Sequence, residues 1–385
     1  MTTVFLVKKT GPGHVSALRQ NSFHEDYSRI IPIFVEIRHE MKRQILLLLA
    51  LAAILCACKP VEKESFTIKK GVNIAHWLSQ SGARGEARAA YFTSEDISRI
   101  AEWGFDHVRI PIDEMQMFHE DGTKDDEAFS LLHAALDECG RQGLRAIVDL
   151  HILRSHYFIA DTRPLFTEAS AQEAFYQCWR DISSELKDYP VSMVAYELMN
   201  EPVADDPEDW NRIATACYNI VRELEKDRII VIGSNMWQSF DTVEQLALPK
   251  GDPNIILSFH YYHPMELTHY QASWTEYRDL EKTVSYPGEV IPGGSVYNLD
   301  RFLSEFGRVK AVGDAMGIPV YCGEYGVLAN PVNEEQRYRW LEDMNAAFDR
   351  LSIARSVWCW QEGPGGFGIL SPSGIDTRMI EILTK

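Results

Sequence analysis

Two glutamates define the chemistry open to this chain. Glu201 ends the run Tyr196-Glu-Leu-Met-Asn-Glu before Pro202, and Glu324 lies in Tyr321-Cys-Gly-Glu-Tyr-Gly. Each follows an apolar, strand-like stretch. Two carboxyls facing one another across a cleft can open an acetal. One protonates the leaving oxygen, and the other stabilises or bonds the oxocarbenium-like carbon. Their separation sets the stereochemistry, about 5–5.5 Å for retention and about 6.5–9.5 Å for inversion. Glu197, also on the fourth strand, is a weaker acid candidate because it lacks the Asn-Glu-Pro setting and lies four residues earlier, toward the interior of the frame.

Such a pair needs a frame that brings distant segments to one rim. From Phe66 onward, short apolar runs alternate with amphipathic stretches. Strands are expected at 72–74, 107–110, 144–150, 193–198, 228–232, 255–260, 318–322 and 354–360. Helices are expected at 94–103 (with Ser94 as N-cap), 126–141, 169–187, 208–225, 300–316, 334–351 and 376–384, with a short turn near 242–246. The strands read as nearly continuous apolar runs, the habit of parallel strands covered on both faces. Eight strand–helix units favour a closed α/β barrel, the (β/α)8 TIM barrel. No G-x-G-x-x-G follows the first strand, which argues against a dinucleotide fold. In a barrel the chemistry sits at the C-terminal strand ends. The residues there are Asn73 and His76, Arg109, His151, Asn200 and Glu201, Asn235 and Trp237, His260 and Tyr262, Glu324 and Tyr325, Trp358 and Trp360.

The sequence resembles glycoside hydrolase family 5, the family of many cellulases and mannanases. The resemblance runs from Gly71 to about Leu370. It rests on Gly71-Val-Asn-Ile-Ala-His-Trp-Leu, Val108-Arg-Ile-Pro, Asp149-Leu-His, Asn200-Glu-Pro, Ser258-Phe-His-Tyr-Tyr, Gly323-Glu-Tyr-Gly and Trp358-Cys-Trp, in that order. It implies retaining hydrolysis of β-linked glycans, β-glucan-like or mannan-like, with no cofactor and no metal. By the same resemblance Glu201 is the acid/base and Glu324 the nucleophile. Arg109 would hold Glu324 and keep its pKa low, and Tyr262 would donate to the same carboxylate. Asn200 would bind the sugar 2-hydroxyl, His151 and His260 would shape the site and tune Glu201, and Trp358 would stack under the sugar. Trp360 competes with Trp358 for that role, because alternate residues of a strand point the same way. A non-catalytic glycan-binding lipoprotein on the same barrel is the alternative; the presence of both glutamates argues against it. A transglycosylase would use the same residues but exclude water.

Other features have plainer readings. His156, His263 and His269 read as core histidines, and Asp149 as a structural partner beneath the site. Asp149, His151, His260 and His263 could suggest a metal-dependent hydrolase, but the first strand lacks His-x-His. The 263–298 connection is long for a compact domain. Its Tyr270, Trp274, Tyr277, Tyr286 and Tyr297 imply either sugar subsites or a small flap with its own core. The 363–368 loop brings Phe367 toward the cleft. Cys139, Cys178, Cys217, Cys322 and Cys359 form no CxxC pair and read as buried thiols. A formal charge of −18 repels phosphate backbones and argues against nucleic-acid binding.

Residues 41 to 58, MKRQILLLLALAAILCAC, carry a basic start and an apolar run of signal-peptide length. The end resembles a bacterial lipoprotein box, which implies cleavage before Cys58 and lipidation of its thiol. The expected organisation is therefore an upstream extension at 1–40 that is not translated, a signal peptide at 41–57 and a single catalytic domain at 58–385. The mature chain is expected to be a monomer, secreted across the inner membrane and held at the cell envelope only by its lipid.

Overall fold

The computed structural model describes residues 38–48, 65–330, 333–362 and 366–385. The chain divides into two units, 1–63 and 64–385. In the first, the described residues 38–48 are helical and exposed. Cys58, the expected lipidation site, and most of the 41–57 leader lie outside the described residues. No helix among the described residues is long and apolar enough to cross a membrane.

The second unit is the expected barrel. Eight strands close on themselves in chain order, all parallel: β1 (Lys70–Asn73), β2 (His107–Asp113), β3 (Arg145–Ile152), β4 (Val194–Glu197), β5 (Ile229–Gly233), β6 (Ile255–Tyr261), β7 (Val320–Tyr325) and β8 (Ala354–Val357). All eight are almost wholly buried, as strands must be when helices cover the outside and side chains fill the inside. Ile147, Ala195, Val231, Ile256 and Tyr321 pack together as one such layer, with Phe66 and Ile68 against them.

The helices begin and end where local chemistry directs. Asp125 caps Asp126–Gln142 through the N–H of Ala128, and Gly143 ends it in the left-handed conformation. Pro207 opens Pro207–Leu224, and the Asp206 side chain accepts from Glu208. The N-cap of Ser94–Glu102 is Thr93 rather than Ser94. Asp96 reaches back to accept from both the N–H and the hydroxyl of Thr93, at 2.9 and 2.8 Å. After β5 come only two short turns, Asn235–Gln238 and the 3-10 turn Val243–Gln245.

Two differences bear on the site. β8 stops at Val357, short of the expected 360. The 263–298 connection is partly a core of its own. Tyr270, Tyr286 and Tyr297 are buried, and Gly288–Glu289 pairs with Val296–Tyr297 as a small antiparallel ribbon. Trp274 stays 58% exposed. The small-core reading therefore holds for these three tyrosines, and Trp274 lies outside that core. The five cysteines from Cys139 to Cys359 are buried and free.

Candidate active site

The register of the barrel sets the site. Arg109 on β2 lies level with Asn73 on β1. Asp149 on β3 lies level with Glu197 on β4, and His260 on β6 with Glu324 on β7. Long polar side chains therefore meet inside the rim, where water cannot reach the lower ones. Arg109 is fully buried at the centre. Its Nε donates to Glu197 at 2.7 Å, its Nη1 to Glu324 at 2.7 Å and to Asn73 at 2.9 Å, and its Nη2 to Asn200 at 2.8 Å. The same Nη2 lies 3.0 Å from Asp149. The guanidinium fork fits this task, since its donors point outward in one plane at fixed angles.

Glu201 and Glu324 face each other at the floor of a cleft of about 1120 Å³. Oxygens of the two carboxyls and a ring nitrogen of His260 all lie within 4.8 Å of one another. The Tyr262 hydroxyl donates to Glu324 Oε2 at 3.0 Å. His260 Nδ1 lies 2.9 Å from Glu201 Oε1. Such a trio has the composition of a metal site. Yet Arg109 already sets a permanent cation 2.7 Å from Glu324, and that charge would oppose a second one.

Electrostatics separate the two acids. Burial pushes Glu201 well above the usual carboxylate range, and the charge on Glu324 pushes it further. His260 adds no counter-charge, because burial holds its ring neutral, far below the ordinary histidine value. Glu324 is also raised by burial, but Arg109 and the Tyr262 hydrogen bond pull it back. The expectation of a low pKa for Glu324 is therefore corrected: burial outweighs the guanidinium. The order of the pair stands, with the proton on Glu201 and the charge on Glu324. Asp149 rises to about 7 through burial, against the pull of Arg109.

The structure brings all eight barrel candidates together. Asn200 leaves its Nδ2 without a protein partner among the described residues. His151 holds Asp149 at 2.7 Å, with Gln80 at 3.5 Å. The ring against Glu201 is that of His260, so the tuning expected of both histidines runs through one. Trp358 lines the cleft and stacks on His151 with ring centroids 5.7 Å apart. Trp360 instead packs on Trp103 in the core and donates to Asp96 at 3.3 Å. The two tryptophans do not point the same way, because the strand, and with it the alternation, has ended at Val357. Exposed Trp237 and Trp274 line the outer cleft, with Phe367 on the wall.

Sequence reading missed several groups. His156 Nε2 lies 3.0 Å from the carbonyl oxygen of Glu201, so this core histidine supports the site from below. Gln238 accepts from the Glu201 N–H at 3.1 Å. Asp113, Glu276 and Glu362 add acidity to a cleft lined by no lysine or arginine among the described residues. None of these lies in a motif that sets it apart from ordinary loop residues.

The comparisons with known proteins agree with this geometry. The model of the cellulase family, glycosyl hydrolase family 5, matches residues 69–363. Cellodextrinase A of Ruminococcus flavefaciens is 29% identical over 330 residues, spanning 83% of this chain and 94% of that protein. Endoglucanase C of Acetivibrio thermocellus is 29% identical over 321 residues, 77% of this chain and 92% of the relative. The crystal structure of endoglucanase Cel5A from Thermotoga maritima superposes with a TM-score of 0.68 at 25% identity, covering 82% of this chain and 96% of that one.

Proposed function

The chain belongs to glycosyl hydrolase family 5, and from that premise we propose that it hydrolyses β-1,4-linked glucans of the cellodextrin kind with retention of configuration. The observation that carries the proposal is the facing pair: one carboxyl oxygen of Glu201 and one of Glu324 lie within 4.8 Å, which favours the short separation of retaining enzymes over the longer one of inverting enzymes. The names of the curated relatives, a cellodextrinase and an endoglucanase, support the substrate.

Glu324 attacks the anomeric carbon while Glu201 gives its proton to the leaving oxygen. Water then attacks the glycosyl ester, and Glu201 takes its proton back. Arg109 and Tyr262 hold Glu324 so that a lone pair faces the sugar. The free amide nitrogen of Asn200 donates to the 2-hydroxyl, and Trp358 carries the apolar sugar face. Release of an aryl group from an aryl β-cellobioside, with the first-formed anomer read by proton NMR, tests the reading. Glu201→Gln and Glu324→Gln each abolish turnover of cellodextrins, and azide returns a β-glycosyl azide from Glu201→Ala. An α-anomer as first product, or near wild-type rates in Glu324→Gln, overturns the assignment.

The catalytic domain, 58–385, is proposed to act as a monomer at the cell envelope, anchored by a lipid on Cys58 after removal of 41–57. The motif Leu55-Cys-Ala-Cys supports this. Radiolabelled palmitate should enter the wild-type chain and not Cys58→Ser; equal labelling of both rejects the anchor.

A further inference from the structure

We infer that Gln238 is a positioning residue for the acid step: its side-chain amide holds the peptide of Glu201 in the left-handed conformation that delivers the carboxyl to the cleft. This rests on the reading of Glu201 as the proton donor.

Glu201 has φ +45°, a conformation that a residue with a Cβ seldom adopts without help. Its two backbone polar groups are held by side chains. Its carbonyl oxygen lies 3.0 Å from His156 Nε2, and its N–H donates to Gln238 Oε1 at 3.1 Å. The other end of that amide donates from Nε2 to Glu197 Oε1 at 3.0 Å. Glu197 in turn takes two hydrogen bonds from Arg109, which holds Glu324. One buried side chain thus joins the backbone of the acid to the network that fixes the nucleophile.

A neutral amide satisfies both ends without a change of protonation. It must accept from an N–H on one side and donate to a carboxylate on the other. An ionised glutamate would place charge against Glu197, and a methionine would leave the Glu201 N–H unpaired and remove one of the three hydrogen bonds that Glu197 accepts. The surrounding loop is built for this contact. Met236, Trp237 and Gln238 all have positive φ, between 53° and 60°. Asn235 exchanges two hydrogen bonds of 2.8 Å with the backbone of Ala204, and the Trp237 N–H donates to Pro202 at 3.2 Å. The turn carrying Glu201 and the loop after β5 are therefore clasped together. At the end of β5, Gly233 leaves the space the amide fills: a Cβ there would fall 2.1 Å from Gln238 Nε2.

The test uses leaving groups. Departure of 2,4-dinitrophenolate needs no proton, whereas cleavage of cellotetraose does. General acid catalysis contributes on the order of 10²-fold or more. The expected result is a loss of kcat/KM on cellotetraose in Gln238→Met on the order of 10²-fold, with kcat/KM on 2,4-dinitrophenyl β-cellobioside falling far less. The basic limb of the cellotetraose pH profile should move with it. Gln238→Glu, which keeps the size of the side chain, is read by the same ratio and decides the matter if the methionine variant does not fold. Equal losses on both substrates mean a merely structural residue and overturn the inference, as does no loss on either. Glu201→Gln, run alongside, separates the two claims: if it fails to discriminate between the leaving groups, the reading of Glu201 as acid fails first.

Discussion

Four carboxyls, Asp149, Glu197, Glu201 and Glu324, crowd around one guanidinium. The nearby rings of His151 and His260 are held neutral by burial, His151 at about 4. Full ionisation would leave several uncompensated charges out of water, so the cluster must keep protons. Glu201, raised most clearly, keeps one. The sign of its coupling is testable. Part of its rise comes from the charge on Glu324, so Glu324→Gln should lower the pKa of Glu201 while burial still keeps it above the ordinary range. Carboxyl NMR titration of labelled protein reads this directly, and an unchanged or higher value would contradict the coupling. Arg109→Met should be severe for a related reason. It strands buried carboxylates, and losing one partner of a buried ion pair typically removes about 3–5 kcal/mol. Denaturant unfolding at pH 7 measures the loss; a change under about 1 kcal/mol would mean that the cluster takes up protons instead.

Loops and strand ends decide what each residue meets. Trp358 and Trp360 are two positions apart, and alternation alone gives them one direction. The end of β8 at Val357 sends Trp358 to the cleft and Trp360 to the core. Trp360→Ala should therefore cost about 3–5 kcal/mol of stability and little activity per folded molecule. Trp358→Ala, whose ring is also buried, should lose stability and, unlike Trp360→Ala, most activity per folded molecule. Calorimetry and steady-state kinetics on both variants separate the roles, and a swapped pattern would reject this assignment. The 263–298 segment divides in the same way. Its tyrosines build a local core, while Trp274 is left bare over the cleft. Removing that indole should raise KM for cellopentaose, on the order of 1 kcal/mol for a partly covered ring, and leave short aryl cellobiosides unaffected. The strands and helices of the frame were legible because apolar periodicity is written locally. The bare or buried fate of each loop aromatic was not, since it depends on neighbours far along the chain.

Across the whole molecule, charge and cleft composition point to a neutral partner. The chain carries −18, and Asp113, Glu276 and Glu362 line the cleft with no lysine or arginine beside them among the described residues. An uncharged glucan feels no long-range field from this surface, whereas a uronate-bearing glycan is repelled. Raising ionic strength from about 0.01 to 1 M shortens the screening length from about 30 to 3 Å. It should leave kcat/KM on cellodextrins nearly unchanged; a strong salt dependence would point to a charged substrate.

The barrel, and the rim on which Arg109, Asn200, Glu201, His260 and Glu324 gather, were legible in the sequence by itself, because strand order and strand-end polarity fix which groups share a rim. What it could not supply is the branching of contacts inside that rim. Whether burial or Arg109 wins at Glu324, which histidine touches Glu201, and that an amide 37 residues downstream holds the Glu201 peptide are decided by three-dimensional packing. Those outcomes depend on solvent exclusion and on distances between segments remote in the chain, and neither quantity exists until the barrel closes.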